Sequence, residues 1–149
     1  MKLITCLLLC CSSVIAEDSK IPPSQFTADG HTTDKLSVVK ERLKDETSIL
    51  LDVREQAEWN DGHLAQAKLI PLSVIKTGNL TKDMEKVLVK DKPIYVHCAA
   101  GGRVLTVSKL LRAKGYDIRP LRDGYSKLLD AGFAKAKPPV EPNASVPQP

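Results

Sequence analysis

A chain of 149 residues, 42% hydrophobic and 27% charged, has the length and apolar content for one globular domain, which excludes a multidomain enzyme and a wholly disordered protein. Its 22 basic and 18 acidic residues leave a formal charge of +4, spread along the chain and not gathered in a stripe. With one Trp, three Tyr and two Phe it also lacks stacking surfaces for bases, so no nucleic-acid partner is expected.

The chain opens like a signal peptide over residues 1–16. Met1 and Lys2 give a short basic start, Leu3 to Cys11 an apolar run, and Val14 and Ala16 occupy the small-residue positions read at cleavage. About nine strongly apolar residues are too few to cross a ~30 Å hydrocarbon layer, so an export leader is expected and not an anchor. No membrane association is expected once the leader is gone, and the expected location is periplasmic or secreted. Cleavage after Ala16 removes Cys6, Cys10 and Cys11 and leaves Cys98 as the sole thiol of the mature chain, which allows no internal disulfide. A lone thiol in an oxidising compartment is exposed to mixed disulfides and over-oxidation, so burial or a chemical task must protect it.

A polar, Pro-containing lead-in over 17–31 is expected to carry little structure. The domain is expected over 32–134. Thr33 or Asp34 can cap a helix over 34–44, with Leu36, Val39 and Leu43 on one face. Residues 48–53 (SILLDV) read as a strand buried on both sides. A short helix over 55–60 follows, then a strand over 68–72 ended by Pro71 and polar residues, and a helix over 81–89 with Met84, Val87 and Leu88 on one side. Pro93 leads into a strand over 94–97, rich in residues that suit a sheet. A helix over 104–114 directs Val104, Val107, Leu110 and Leu111 inward and stops at Gly115. Residues 116–121 make the next strand and 125–131 the last helix. Strand and helix alternate, which implies an α/β fold with a parallel sheet between helices. Residues 135–149, with five prolines after residue 137, read as a disordered tail.

One segment concentrates the chemistry. Ile94-Tyr-Val-His-Cys98-Ala-Ala-Gly-Gly-Arg103-Val runs strand, loop, helix, and it sets Cys98 beyond the carboxyl end of a parallel strand, where ligand sites of such sheets lie. Gly101 and Gly102 allow backbone angles that turn successive N–H groups inward as a cup, and the following helix directs its positive end at the same place. An anion belongs there, and the ionised sulfur of Cys98 is the nearest candidate.

Three motifs together resemble the rhodanese-like sulfurtransferases, over Ser48 to Phe133. The first is Leu51-Asp-Val-Arg54 continuing through Glu58, Trp59, Gly62, His63, Ala67, Ile70 and Pro71; the second is Cys98-Ala-Ala-Gly101-Gly-Arg103; the third is Arg122-Asp-Gly124-Tyr125 with Ala131-Gly132. Gln66, Val104, Asp123 and Leu128 depart from the usual pattern at positions that bear on packing more than on chemistry. The resemblance implies a three-layer rhodanese-like α/β fold, a central parallel sheet flanked by helices on both faces. It further implies a thiosulfate sulfurtransferase in which Cys98 takes a sulfane sulfur as a persulfide and passes it to cyanide or another thiol. Ala99, Ala100, Gly101, Gly102 and Arg103 would bind the substrate, and Asp52, Arg54, Glu58 and His63 would form a structural frame beneath the loop. Arg103 has two readings, a contact to a donor oxyanion or a guanidinium tied to a helix carboxylate.

The implied partners are a small sulfur donor and acceptor, such as thiosulfate, cyanide and thiols, or a protein acceptor, with the chain itself a monomer. No cofactor is expected, and no metal either, since His31, His63 and His97 lack ligand spacing and there is no second mature cysteine. His97 reads first as a packing residue, because neighbours on a strand point to opposite faces. Two alternatives stand beside sulfur transfer. A phosphatase or arsenate reductase-like enzyme also places a Cys before an anion loop and an Arg, but those loops resemble Cys-x5-Arg, one residue longer than Cys98 to Arg103. A non-catalytic binding module would have no need of the cysteine. The leader reading predicts that the exported protein, weighed intact, begins at Glu17; a mass that retains residues 1–16 overturns it.

Overall fold

The computed structural model describes residues 25–137, so the expected leader, the first part of the lead-in and the end of the tail lie outside the described residues. Four parallel strands, β1 (Ile49–Asp52), β2 (Ala67–Leu69), β3 (Ile94–His97) and β4 (Ile118–Pro120), form one sheet in the order β2-β1-β3-β4. Six helices connect them: α1 (Leu36–Lys44), α2 (Gln56–Asn60), α3 (Leu72–Thr77), α4 (Lys82–Val87), α5 (Arg103–Arg112) and α6 (Tyr125–Asp130). The three-layer arrangement expected from the alternation is the one observed.

The central strands β1 and β3 are apolar up to their last residues, Asp52 and His97, because both faces are covered. Leu51, Val53, Ile94, Val96 and Ile118 meet Leu72 and Ile75 of α3 and Val104, Val107 and Leu111 of α5 on one face. On the other, Leu50, Tyr95 and Leu121 meet Val39 and Leu43 of α1 and Leu128 of α6. Successive side chains of a strand leave on opposite sides, so β1 and β3 each feed both cores. The pairing sets Asp52 beside His97 and thereby brings the carboxyl ends of β1 and β3 together.

Several expectations are corrected. Neither Thr33 nor Asp34 caps α1: Lys35 holds the cap position without a side-chain bond, and the Asp34 carboxylate instead accepts from the Tyr95 hydroxyl at 2.6 Å and from Arg119 at 2.8 Å. β2 stops at Leu69, short of the expected 68–72, and Pro71 holds the cap position of α3, a helix absent from the sequence reading; Gly78 closes it. Thr81 caps α4, accepting from the Met84 amide. Leu110, expected inward, is 37% exposed, since the inward stripe of α5 is carried by Val104, Val107, Ser108 and Leu111.

The flanks are also more ordered than their composition suggests. Residues 25–31 of the lead-in, expected to be loose, form a tight turn closed by a Phe26–Thr32 bridge and by Thr27 N–H donating to the His31 carbonyl at 2.8 Å. Thr32 N–H donates to the Pro120 carbonyl, which lays this segment along the outer side of β4, and the Arg112 guanidinium sits 3.9 Å above the Phe26 ring. Residues 135–137, expected within a disordered tail, are likewise held at their start: Lys135 bridges Leu64, and Ala136 N–H donates to the His63 carbonyl.

Leu110 and Leu111 offer a direct test of the packing. Leu111→Ala should lose about 2–5 kcal/mol in urea unfolding, the cost of a cavity in a closed core, whereas Leu110→Ala should change stability by less than about 0.5 kcal/mol. Equal losses at the two positions would show that α5 is packed in another register.

Candidate active site

Strand order reverses between β1 and β3: the chain leaves β1 to form β2 on one side and returns to form β3 on the other. Crevices open at the carboxyl ends of strands at such a reversal. Cys98 lies there, directly after β3, and the Cys98–Arg103 loop leads into the amino end of α5, the ten-residue helix Arg103–Arg112. Cys98 itself is 1% exposed, beneath exposed Ala99, Ala100 and Gly102. A cleft of about 290 Å³ lined by Leu43, Ser48, Ile49, Lys68 and Lys92 opens at the amino ends of β1 and β2, the opposite end of the sheet, and takes no part in the site.

The loop is shaped by backbone lying on backbone. Gly101 has φ +85°, a conformation that L side chains rarely adopt, and in it the Gly101 N–H donates to the Cys98 sulfur at 3.2 Å. A Cβ at Gly101 would also run into the Arg122 carbonyl. Gly124 has the same kind of reason: a Cβ there would collide with the Ala99 carbonyl and the Ala100 Cα. Tyr125 N–H, at the start of α6, donates to the Cys98 carbonyl at 2.9 Å. The closing motif 122–125 therefore serves as the wall against which the loop is moulded. The cup expected from the glycines is represented at the sulfur by the Gly101 amide, with the amino end of α5 behind it.

Arg103 meets the carboxylate expected by one of its two readings. Its Nη1 and Nη2 donate to the two oxygens of Glu58 on α2, each at 2.6 Å. These forked bonds hold the Glu58 carboxyl down at about 2, against a burial effect that pushes it up, with the Glu55 amide assisting. Arg103 is held in its charged form first by Glu58 and also by the nearby Cys98 sulfur. The Arg103 side chain is 30% exposed beside the loop.

Beneath lies the frame expected from Asp52, Arg54, Glu58 and His63. Arg54, 4% exposed, donates through Nε and Nη2 to the fully buried Asp52, at 2.9 and 2.7 Å to Oδ2. Its remaining N–H groups reach the Glu58 carbonyl at 3.2 Å and the Gly62 carbonyl at 2.8 Å, and its plane lies 4.2 Å from the Tyr125 ring. Glu55 and Glu58 form a reciprocal cap on α2, and Glu55 also accepts from the Ser73 hydroxyl, which ties α2 to α3. His63 stands outside this charge network: its ring stacks on Trp59 at 3.6 Å and its Nδ1 bonds the Trp59 carbonyl. Trp59 is half-buried and packs against the core.

His97 is fully buried, with Nε2 3.6 Å from Asp52, too far for a hydrogen bond; burial lowers its affinity for a proton, with Asp52 opposing. Sequence reasoning missed His31, whose Nε2 lies 3.0 Å from the Gly101 carbonyl although 70 positions separate them. A histidine in a polar lead-in carries no local signal of such a contact. Among the described residues, no group of three His, Cys, Asp or Glu side chains is arranged to hold a metal ion.

The Arg103–Glu58 pair predicts a sign for acid destabilisation. The unfolded Glu58 binds its proton near 4.5 and the folded one near 2, so between those values the unfolded chain carries more protons and stability falls as pH falls. Urea midpoints taken from pH 6 down to 2 should show this decline in the parent and a shallower one in Glu58→Gln. Parallel profiles would mean that the pair adds nothing to folding. Because both side chains are about a third exposed, solvent keeps the contribution small.

Comparison with known proteins agrees with this geometry. Residues 35–131 match the family profile described as "Rhodanese-like domain". "Protein HIGH ARSENIC CONTENT 1, mitochondrial" of Arabidopsis thaliana is 36% identical over 99 residues, 61% of this chain and 58% of that protein. "Thiosulfate sulfurtransferase 18" of the same plant is 30% identical over 104 residues, 64% of this chain and 76% of that one. The chain spans less than two thirds of the first of these relatives. Among solved structures, a rhodanese-related protein from Thermoplasma volcanium superposes with a TM-score of 0.55 at 27% identity, over 67% of this chain and 92% of that one. With the family profile matched across most of its length, its four-stranded sheet and its loop from Cys98 to Arg103, the chain belongs to the rhodanese-like domain family.

Proposed function

We propose that this protein is a sulfurtransferase of the thiosulfate type, with Cys98 as its nucleophile. The observation that carries the reading is Cys98 at the sheet's reversal point, its sulfur accepting the Gly101 N–H within an uninterrupted Cys98–Arg103 loop. Relatives named as sulfurtransferases support the class of reaction.

Two displacements at sulfur make the cycle. The Cys98 thiolate attacks the outer sulfur of thiosulfate; the Cys98 S–S bond forms, the bond to the sulfonate sulfur breaks, and sulfite leaves with the electron pair. A thiophilic acceptor such as cyanide or a thiolate then attacks the outer persulfide sulfur. It leaves as thiocyanate or a new persulfide, and the thiolate returns. Both the thiolate and the persulfide anion are negative, so an amide donor and the amino end of α5 favour each without a proton donor. Ala99, Ala100 and Gly102 add no charge around the sulfur, so the partly exposed Arg103 is the one cationic group the loop offers to a donor oxyanion. We further propose export of the protein and a role outside the cytoplasm as a monomer, with small-molecule or protein thiols as acceptors.

Mass spectrometry tests the reading. Thiosulfate should add about 32 Da to the protein, the mass of one sulfur, and cyanide or dithiothreitol should remove it. Cys98→Ala should take up none. Turnover of a phosphate ester without any sulfur adduct would replace this reading with the phosphatase-like one. Partner binding undiminished in Cys98→Ala, with neither activity present, would leave a binding module.

A further inference from the structure

The turn at residues 25–32 lies before the stretch matched by the family profile, which begins at residue 35, yet it reaches the loop around Cys98. His31 makes that contact. It is 6% exposed, with Nε2 3.0 Å from the Gly101 carbonyl and Nδ1 3.2 Å from Asp29 Oδ2. Asp29 in turn accepts from the Thr27 hydroxyl at 2.5 Å and from Arg122 at 2.7 Å. Arg122 belongs to the wall that moulds the loop, since its carbonyl is the atom that a side chain on Gly101 would strike. The turn is thus tied to Gly101 directly through His31, and through Asp29 to Arg122, against which Gly101 packs.

A carbonyl oxygen only accepts, so Nε2 carries the hydrogen in this contact. With Nε2 committed and the ring buried, His31 is not placed to exchange protons with a substrate; its effect is on geometry. The Gly101 carbonyl shares a peptide plane with the Gly102 N–H, and in a trans peptide the two point in opposite directions. Holding the carbonyl toward His31 therefore turns the Gly102 N–H away from the 25–32 turn. It also restrains ψ of Gly101, the residue whose own N–H donates to the sulfur and which, as glycine, has no side chain to restrict it.

We propose that His31 is a positioning residue for the Cys98 loop, its Nε2–H holding the Gly101 carbonyl so that Gly101 keeps the conformation in which its amide meets the sulfur. The inference rests on the sulfurtransferase reading for its purpose, but its test does not. The pH profile of Cys98 alkylation by iodoacetamide is measured on the full-length protein, on His31→Leu, which has no donor, and on His31→Gln, whose side-chain amide can replace the Nε2–H donor. The pH midpoint is read, not the absolute rate, because a looser loop also changes access to a buried thiol.

His31→Leu should move the midpoint upward by about half a unit or more, as one support of the ionised sulfur weakens, and His31→Gln should restore most of it. Thermal midpoints of both variants are recorded alongside. An unmoved midpoint in His31→Leu overturns the proposal, as do equal displacements in the two variants that merely follow their lost thermal stability. If the profile moves as expected while thiosulfate leaves no sulfur on the parent protein, the positioning role stands and the sulfurtransferase reading fails.

Discussion

The site depends on one buried ion pair. Asp52 ends β1 with no exposed surface, and Arg54 turns back onto it from two residues away. Removing two charges from water is costly, and the arrangement is tolerable because almost every polar atom is used. Arg54 reaches the carboxylate through Nε, Nη2 and its own backbone N–H, bonds the Glu58 and Gly62 carbonyls once each, and covers the Tyr125 ring. Loss of one partner from such a pair typically costs about 3–5 kcal/mol, since the other charge is left stranded. Here it would also release three elements at once: the end of β1, the whole of α2, and the start of α6.

That linkage explains how the Cys98 loop is held without side chains of its own. Ala99, Ala100, Gly101 and Gly102 have little to grip with, so their shape is borrowed from surroundings. Arg54 fixes α2, α2 presents Glu58, and Glu58 anchors Arg103 at one end of the loop. Tyr125, under the same guanidinium, begins the helix whose first amide holds the Cys98 carbonyl at the other end. The middle is pressed on Arg122 and Gly124 by main chain alone, which is why a single methyl group at Gly101 or Gly124 has nowhere to go.

What could be read from the sequence follows from the range of the forces involved. The strands were legible because burial on both faces leaves continuous apolar runs, as in Leu50-Leu51 and Tyr95-Val96. The Cys98 loop was legible because its chemistry is local: nucleophile, glycines and arginine lie within six residues. Arg103 was undecided until Glu58, 45 positions away, was brought to it by the fold. The helix α3 was hidden because Pro71 and Ser73 look like loop residues, although proline is well suited to the start of a helix. Residues 25–31 were misread for the same reason as Arg103. Polar side chains suggest looseness, and the partners that tie down Asp29 and His31 are Arg122 and Gly101, invisible to any local pattern.

The course of the chain along β4 has a consequence for association. β4 is three residues long, ends in a proline that has no N–H to offer, and has its Pro120 carbonyl already occupied by Thr32. An open sheet border with free main-chain donors and acceptors is a template on which another molecule can grow strand by strand. On this side the template is blunted twice, by brevity and by an overlay of the chain's own leading segment. The domain's own leading segment thus serves as a built-in cover for that border, with the Arg112 guanidinium seated on the Ile118 carbonyl beside it.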